Sequence, residues 1–441
     1  MTAQPSTPLL VGEVFVDVTI TDRGQENKLR MGGIAHAARG FWAAGQPFAA
    51  ATFLPGYLEE SAKNYFAALG CTKFTVLGFI FGAPNVTLVF DPTEVDNQEY
   101  DTLLRDEKSV GDTIVTPDEF LQIEDALIFP GTYNLASVCE LLPHSSRLHI
   151  DVAYDVGIDQ LQTLPRKVST IFISTSSSLF KDLGETLDTV VAGFTGLEPS
   201  ALLLKENRGG ARLHIYSTRQ SYDIPAQLAA TVNSVGVGDV LDAVYLTSLR
   251  SSPLEAAWRA SMAASAYAQT TEPDIFRTYV LRDAKLDISE LQELGGTSLP
   301  WDSRRAYQIY LAAPDFKDTN RGAIERAVSA LSYHNFAVRR PVVENGELPR
   351  DSDSLTLAET YRKDVELLRD CHLVFAVPTG RDPGTLVEIG LAIAQGIPVV
   401  VYDPDAECAN TMVIAGSNCY SRELDTCLNA TFSCLSNIRH T

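Results

Sequence analysis

Asp382 and Glu388 stand six residues apart in the stretch RDPGTLVEIGLAIAQG, from Arg381 to Gly396. A carboxylate at the entry of an apolar, small-residue helix, just after a strand, is an odd place for a purely structural residue. The run before them, Leu373-Val374-Phe375-Ala376-Val377, reads as a buried parallel strand. Ligands of open α/β sheets collect outside the carboxyl ends of such strands, so both acids fall where a site is expected. Taken alone, Glu388 also has a plainer reading, a first-turn Glu that favours the helix dipole.

A second stretch, NSVGVGDVLDAVYLTSL from Asn233 to Leu249, could handle phosphate. Gly236 and Gly238 bracket a turn, Asp239 follows, and an apolar helix continues. The amides of Val235, Gly236, Val237 and Gly238 would form an anion hole at the helix start. Asp239 at its lip could take a proton from a hydroxyl attacking a phosphoryl group. The plainer reading is a tight turn with an Asp near a helix start.

The 441 residues exceed one ordinary domain and imply two or three. A formal net charge of −21 argues against a nucleic-acid backbone or an anionic membrane as partner, since both would be repelled. It leaves nucleotides open, because they bind in local pockets. No signal pattern opens the chain and no apolar run could span a bilayer, so a cytoplasmic protein is the expectation. The seven cysteines are scattered without a CxxC pair and read as reduced thiols. The seven histidines show no HExxH spacing, so no protein-held metal is expected.

The elements that must position these residues alternate between strand and helix, which predicts a doubly wound α/β sheet. Strands are read at Leu9–Ile20, Phe48–Phe53, 73–80, 85–90, Ala126–Phe129, Arg147–Asp151, Thr170–Ser174 and Ala201–Lys205, with a hairpin over 212–223. Gly32-Gly33 opens a helix that closes at Gly45. Residues 1–7 read as a loose tail, 21–31 as an exposed excursion and 92–115 as a polar region. Extra strands around 13–30 and 75–92 would suit a small β lid. A linker over 296–304 precedes a second α/β pattern at 305–441. Its strands are read at Tyr307–Ala312, Ala337–Arg340, 373–377 and Pro398–Tyr402, and its helices at Ala323–Ser332, Leu355–Arg369 and 384–395.

Residues 1–295 resemble the ribokinase-like (PfkB-type) family of sugar and nucleoside kinases. Asp17, five residues after Gly12, falls where that family binds sugar hydroxyls. Gly32-Gly33 before a small-residue helix is similar to its first signature, and Gly236-Val237-Gly238-Asp239 to its GAGD. The resemblance implies that Asp239 is the general base, that 235–238 hold phosphate, and that ATP and Mg2+ are cofactors. Three positions depart from the pattern. His36-Ala37 replaces an Asn, Asn233 replaces the acid that opens the DTTGAGD run, and Ser174–Ser178 carries no carboxylate where an Asn-x-x-Glu is usual.

Residues 305–441 resemble the nucleoside 2-deoxyribosyltransferase family, a smaller flavodoxin-like parallel-sheet domain. The matching segments are Ile309 to Phe316, Asp382 to Gly390, and Asn410-Thr411-Met412. The resemblance implies Glu388 as nucleophile, Tyr310 as the residue that positions it, and Asp382 on the sugar 5′ side. It implies that Asn410 reaches the site of a neighbouring subunit, hence a homo-oligomer of at least two chains. Asp315 joins the substrate-binding set. His372 stands where the family often has a base-handling Asp.

The expectation is an enzyme of nucleoside metabolism acting on a nucleoside, a nucleobase or a sugar. The second half would cleave or transfer at the N-glycosidic bond of a (deoxy)nucleoside with a free 5′-OH, because Asp382 would repel a phosphate. The first half would phosphorylate a sugar or nucleoside. Two alternatives stand beside this: a degenerate kinase that only binds, regulates or oligomerises, and a pure hydrolase with water as acceptor.

Overall fold

The structure is a computed structural model and describes residues 7–20, 26–152, 156–316, 319–349 and 351–440. Almost all of the tail expected at 1–7, and residues 21–25 of the expected excursion, lie outside the described residues. The chain divides into two compact units. The first takes residues up to Thr93, Glu99–Gln227 and Thr231–Ser298, and the second takes Glu94–Gln98, Leu228–Ala230 and Leu299–Thr441. The stretch read as a linker carries structure of its own. Thr297 bridges to Ala226 in the first unit, and Trp301–Arg304 is a helical turn of the second.

In the first unit the strands are β1 (Leu9–Thr19), β2 (Lys28–Gly33), β3 (Phe48–Leu54), β4 (Cys71–Phe81), β5 (Val86–Val89), β6 (Tyr100–Thr102) and β7 (Ser109–Asp112). They continue with β8 (Asp125–Ile128), β9 (Arg147–Asp151), β10 (Val168–Ser174), β11 (Ala201–Lys205), β12 (Ala211–Ile215) and β13 (Gln220–Ile224). The main order is β13-β12-β11-β10-β9-β8-β1-β3-β4-β7. It is parallel from β11 to β4 and antiparallel at both edges. Near-continuous apolar runs such as Phe48–Leu54, buried throughout, suit strands covered on both faces.

β1 serves two sheets. Leu9 to Glu13 pairs within the main sheet, and Val14 to Thr19 runs out to pair with β2 and β5, with β6 beyond. This small sheet is the expected lid, and it places Asp17 opposite Arg30. The excursion expected at 21–31 becomes strand from Lys28 onward, and the polar region at 92–115 holds β6 and β7. Their short, polar, edge-lying sequences carry no buried alternation to betray them.

The second unit is an all-parallel sheet of β14 (Gln308–Ala312), β15 (Ala337–Arg339), β16 (Leu373–Ala376), β17 (Val399–Tyr402) and β18 (Cys419–Ser421). Its order, β15-β14-β16-β17-β18, reverses direction between β14 and β16. That switch point is where ligands of such sheets bind. Side chains alternate across a strand. Ile309 and Leu311 therefore join one apolar layer, while Tyr310 and Ala312 join the other, beneath helices Ser354–Arg369 and Pro383–Gln395. The period of two thus aims Tyr310 at the helix that carries Glu388.

Candidate active site

Helix Pro383–Gln395 starts sharply because its local sequence supplies each part of a helix start. Asp382 is the cap, its Oδ2 accepting from the Thr385 amide at 2.8 Å and the Thr385 hydroxyl at 2.9 Å, and Pro383 opens the first turn. Glu388 is the sixth residue of this helix and lies in its second turn, so the helix dipole does not explain it. Its partner is Tyr310, whose hydroxyl donates to Glu388 Oε1 at 2.6 Å. Tyr310 is fully buried, and burial together with Glu388 raises its hydroxyl well above the usual tyrosine range, so it stays a donor. Burial also lifts the Glu388 carboxyl to about 7; the Tyr310 bond opposes the rise, while Asp364 and Asp382 add to it.

Asp364 is the residue that sequence reasoning missed. It sits half-buried on helix Ser354–Arg369, its Oδ1 accepting from Asn345 Nδ2 at 2.7 Å. Burial raises its carboxyl, and its charge acts on both Glu388 and Tyr310. The available signal was an acid beside the apolar positions Leu367 and Leu368, on a helix leading into the β16 strand.

The base-handling position expected at His372 has other contacts. His372 precedes β16 at the amino end of the sheet, where its Nδ1 accepts from the Gln308 amide at 3.1 Å and its ring meets Tyr307 edge-on. Asp315 is likewise engaged. Arg340 grips it with two bonds of 2.7 and 2.8 Å, Arg321 lies 2.9 Å away, and only 6% of it is exposed. Two guanidiniums hold that carboxylate as a loop anchor. Asn410 caps helix Thr411–Gly416, accepting from the Met412 amide at 2.9 Å, and is exposed.

In the first unit, Asp17 is buried with its Oδ2 2.8 Å from His36 Nε2 and 3.5 Å from Arg30 Nε. Gly32 is required beside it, because a Cβ there would stand 2.1 Å from Asp17 Oδ1. Gly33, at φ +59°, turns the chain against the Glu13 carbonyl. Gly236, at φ +81°, precedes helix Val237–Ser248. Asp239 lies in that helix's first turn, and burial, then the like charge of Asp151, lifts its carboxyl to about 7. Beneath the turn, Lys205 Nζ is 2.8 Å from Asp151 and 3.0 Å from Asp242. Among the described residues, no group of three or more His, Cys, Asp or Glu side chains could hold a metal ion, and no helix is long and apolar enough to cross a membrane.

Residues 309–428 match the family model for nucleoside 2-deoxyribosyltransferase. No curated protein matches the chain. Among solved structures, the ribokinase of Thermotoga maritima is 14% identical, covering 64% of this chain and 99% of its own at a TM-score of 0.48. The Arabidopsis thaliana ribokinase complexed with ribose and ATP is 15% identical, covering 64% and 100% at 0.46. A nucleoside kinase of Burkholderia thailandensis in complex with inosine is 12% identical, covering 66% and 97% at 0.47.

Proposed function

We propose that the second unit, which carries the nucleoside 2-deoxyribosyltransferase domain, breaks the N-glycosidic bond of a nucleoside through Glu388 and passes the sugar to a second base or to water. The observation that carries this reading is the 2.6 Å Tyr310–Glu388 bond on a half-buried carboxyl. A Glu388 oxygen bonds to C1′ as the C1′–N bond breaks, and the bonding pair leaves with the base. The departing nitrogen takes up a proton from solvent as it leaves. An incoming base, or water, then attacks C1′, releases Glu388 and returns the proton. Neither ATP nor magnesium enters these steps. Mass spectrometry of a deoxynucleoside incubated with a different free base tests the reading. A new nucleoside supports transfer, free sugar alone supports hydrolysis, and unchanged substrate across a base panel would overturn both.

The attacking form is the carboxylate, so activity falls as pH drops through the Glu388 value near 7, about tenfold per unit below it. Tyr310→Phe removes the bond that favours the carboxylate. The acid limb of the kcat/KM profile then moves to higher pH by about one unit. A limb that stays in place denies Tyr310 its positioning role.

Asp382 uses Oδ2 for its cap, which leaves Oδ1 to accept from a 5′-hydroxyl. A 5′-phosphate would bring like charge to that oxygen. A deoxynucleoside is expected to be used about tenfold or more better than its monophosphate, and Asp382→Asn should narrow the gap. Equal turnover of the two by the unaltered protein sinks this assignment. Asn410, exposed at its helix cap, is proposed to complete the site of a second copy. Light scattering of a fully active monomer would contradict that.

A further inference from the structure

We infer that the first unit holds its would-be phosphoryl-transfer site shut with its own side chains, chiefly His36 and Arg30, and does not take MgATP and a sugar there. The inference rests on this unit alone and stands apart from the reading of Glu388.

Space is the first ground. The His36 imidazole fills the position a Cβ on Gly236 would take, with Cγ 2.1 Å from it, and its Nε2 lies 2.8 Å from Asp17 Oδ2. A hydroxyl approaching Asp17 and the 236–239 turn together must displace that ring. The ring is 2% exposed and held on its other side, where Nδ1 is 2.8 Å from Arg39 Nη1 and 2.9 Å from the Tyr267 hydroxyl. Arginine only donates, so Nδ1 accepts and Nε2 carries the proton directed at Asp17. Asp17, the expected sugar holder, thus has its Oδ2 engaged by the protein itself.

The turn also spends its own amides. The Val235 amide donates to Asn233 Oδ1 at 2.9 Å, and the Val237 amide to the Ser234 carbonyl at 3.2 Å. Half of the expected anion hole over 235–238 is thereby used inside the turn.

The charges around it do not suit a polyphosphate. Lys205 is neutralised by Asp151 and Asp242, and Asp239 adds a third carboxylate. The Ser174–Ser178 segment contributes hydroxyls that bond one another. Ser174 Oγ lies 2.8 Å from Ser176 Oγ, and Ser177 Oγ accepts from the Phe180 amide. Nothing in that segment can hold a cation as a carboxylate would. MgATP therefore does not fit the residues present.

Finally, the small sheet is latched to the turn. Arg30 of β2 donates through Nη2 to Asn233 Oδ1 at 2.8 Å and to the Val235 carbonyl at 2.9 Å, while its Nε faces Asp17. Following β5, the Pro92 carbonyl accepts from the Ser234 amide at 2.6 Å. Strand β2 and the segment that follows β5 are thus tied to one turn, the strand by charge-assisted bonds.

The test uses the full chain. ADP formation from MgATP is followed with a panel of pentoses, hexoses and nucleosides, and the expected rate equals the acceptor-free control. Hydrogen exchange of amides 233–238 is measured with and without MgATP plus ribose, and the expected protection is the same. Arg30→Ala should speed that exchange about tenfold. Acceptor-dependent ADP formation that Asp239→Asn abolishes would overturn the inference, as would protection added by MgATP or exchange unmoved by Arg30→Ala. Release of free base from a nucleoside, read in the same samples, reports the second unit separately.

Discussion

Glu388→Gln is expected to lower nucleoside cleavage and base exchange by about a thousandfold or more. The amide can still accept the Tyr310 hydroxyl through its oxygen, so the local packing survives while the nucleophile is lost. Stability gives an independent readout. Burial raises the folded-state value of Glu388 to about 7, against an ordinary 4.5. A carboxylate raised in this way contributes stability below its unfolded value and loses it as pH rises through the folded value. Above pH 7 the native protein therefore carries a cost that the Gln variant lacks. The variant should melt a few degrees higher at pH 8 and gain nothing at pH 4. Retention of more than a tenth of the activity at pH 7.5 would remove Glu388 from the reaction. Equal melting shifts at both pH values would mean that the carboxyl is not strained by burial.

Lys205→Met is expected to destabilise the first unit by about 3–5 kcal/mol, the range for removing one partner of a buried ion pair. Lys205 is buried between Asp151 and Asp242, and its raised pKa reflects their charges winning over desolvation. Burial raises the Asp242 carboxyl well above its ordinary range, against the pull of Lys205. Without the ammonium, two buried acids face each other uncompensated. Adding Asp151→Asn and Asp242→Asn to Lys205→Met should recover much of the loss, because neutral groups no longer need the cation. Urea denaturation of the three proteins makes the comparison. A loss below about 1 kcal/mol for the single variant would show that water reaches the cluster and screens it.

Much of the second unit was legible because its signals are local. Strand runs such as Leu373–Val377 are continuous and apolar. The cap, proline and small residues of 382–396 mark a helix start within a few positions, and the six-residue spacing of Asp382 and Glu388 puts one at the cap and the other on the same helix. The carboxyl-terminal helix Leu424–His440 is absent from the sequence reading. Leu424, Cys427, Leu428, Phe432 and Leu435 recur at helical spacing and are all buried, but the pattern shows only when cysteine is counted as apolar. Strand β18, three residues long, carries too little pattern to be read at all.

By itself, the amino-acid order determined the two α/β patterns, the glycine turns and the pairing of Asp382 with Glu388, since each rests on propensity and spacing within about ten residues. The tertiary structure alone decided which side chains face one another. Asp364 reaches the field of Glu388 across a helix and a strand, His372 falls at the opposite end of the sheet, and Asp315 is held by Arg340 and Arg321. In the first unit the same holds for Asp17 and His36, nineteen residues apart, and for Arg30 and Val235, more than two hundred apart. Strand register and lid placement bring those groups within hydrogen-bond reach, and neither leaves a periodic trace in the sequence.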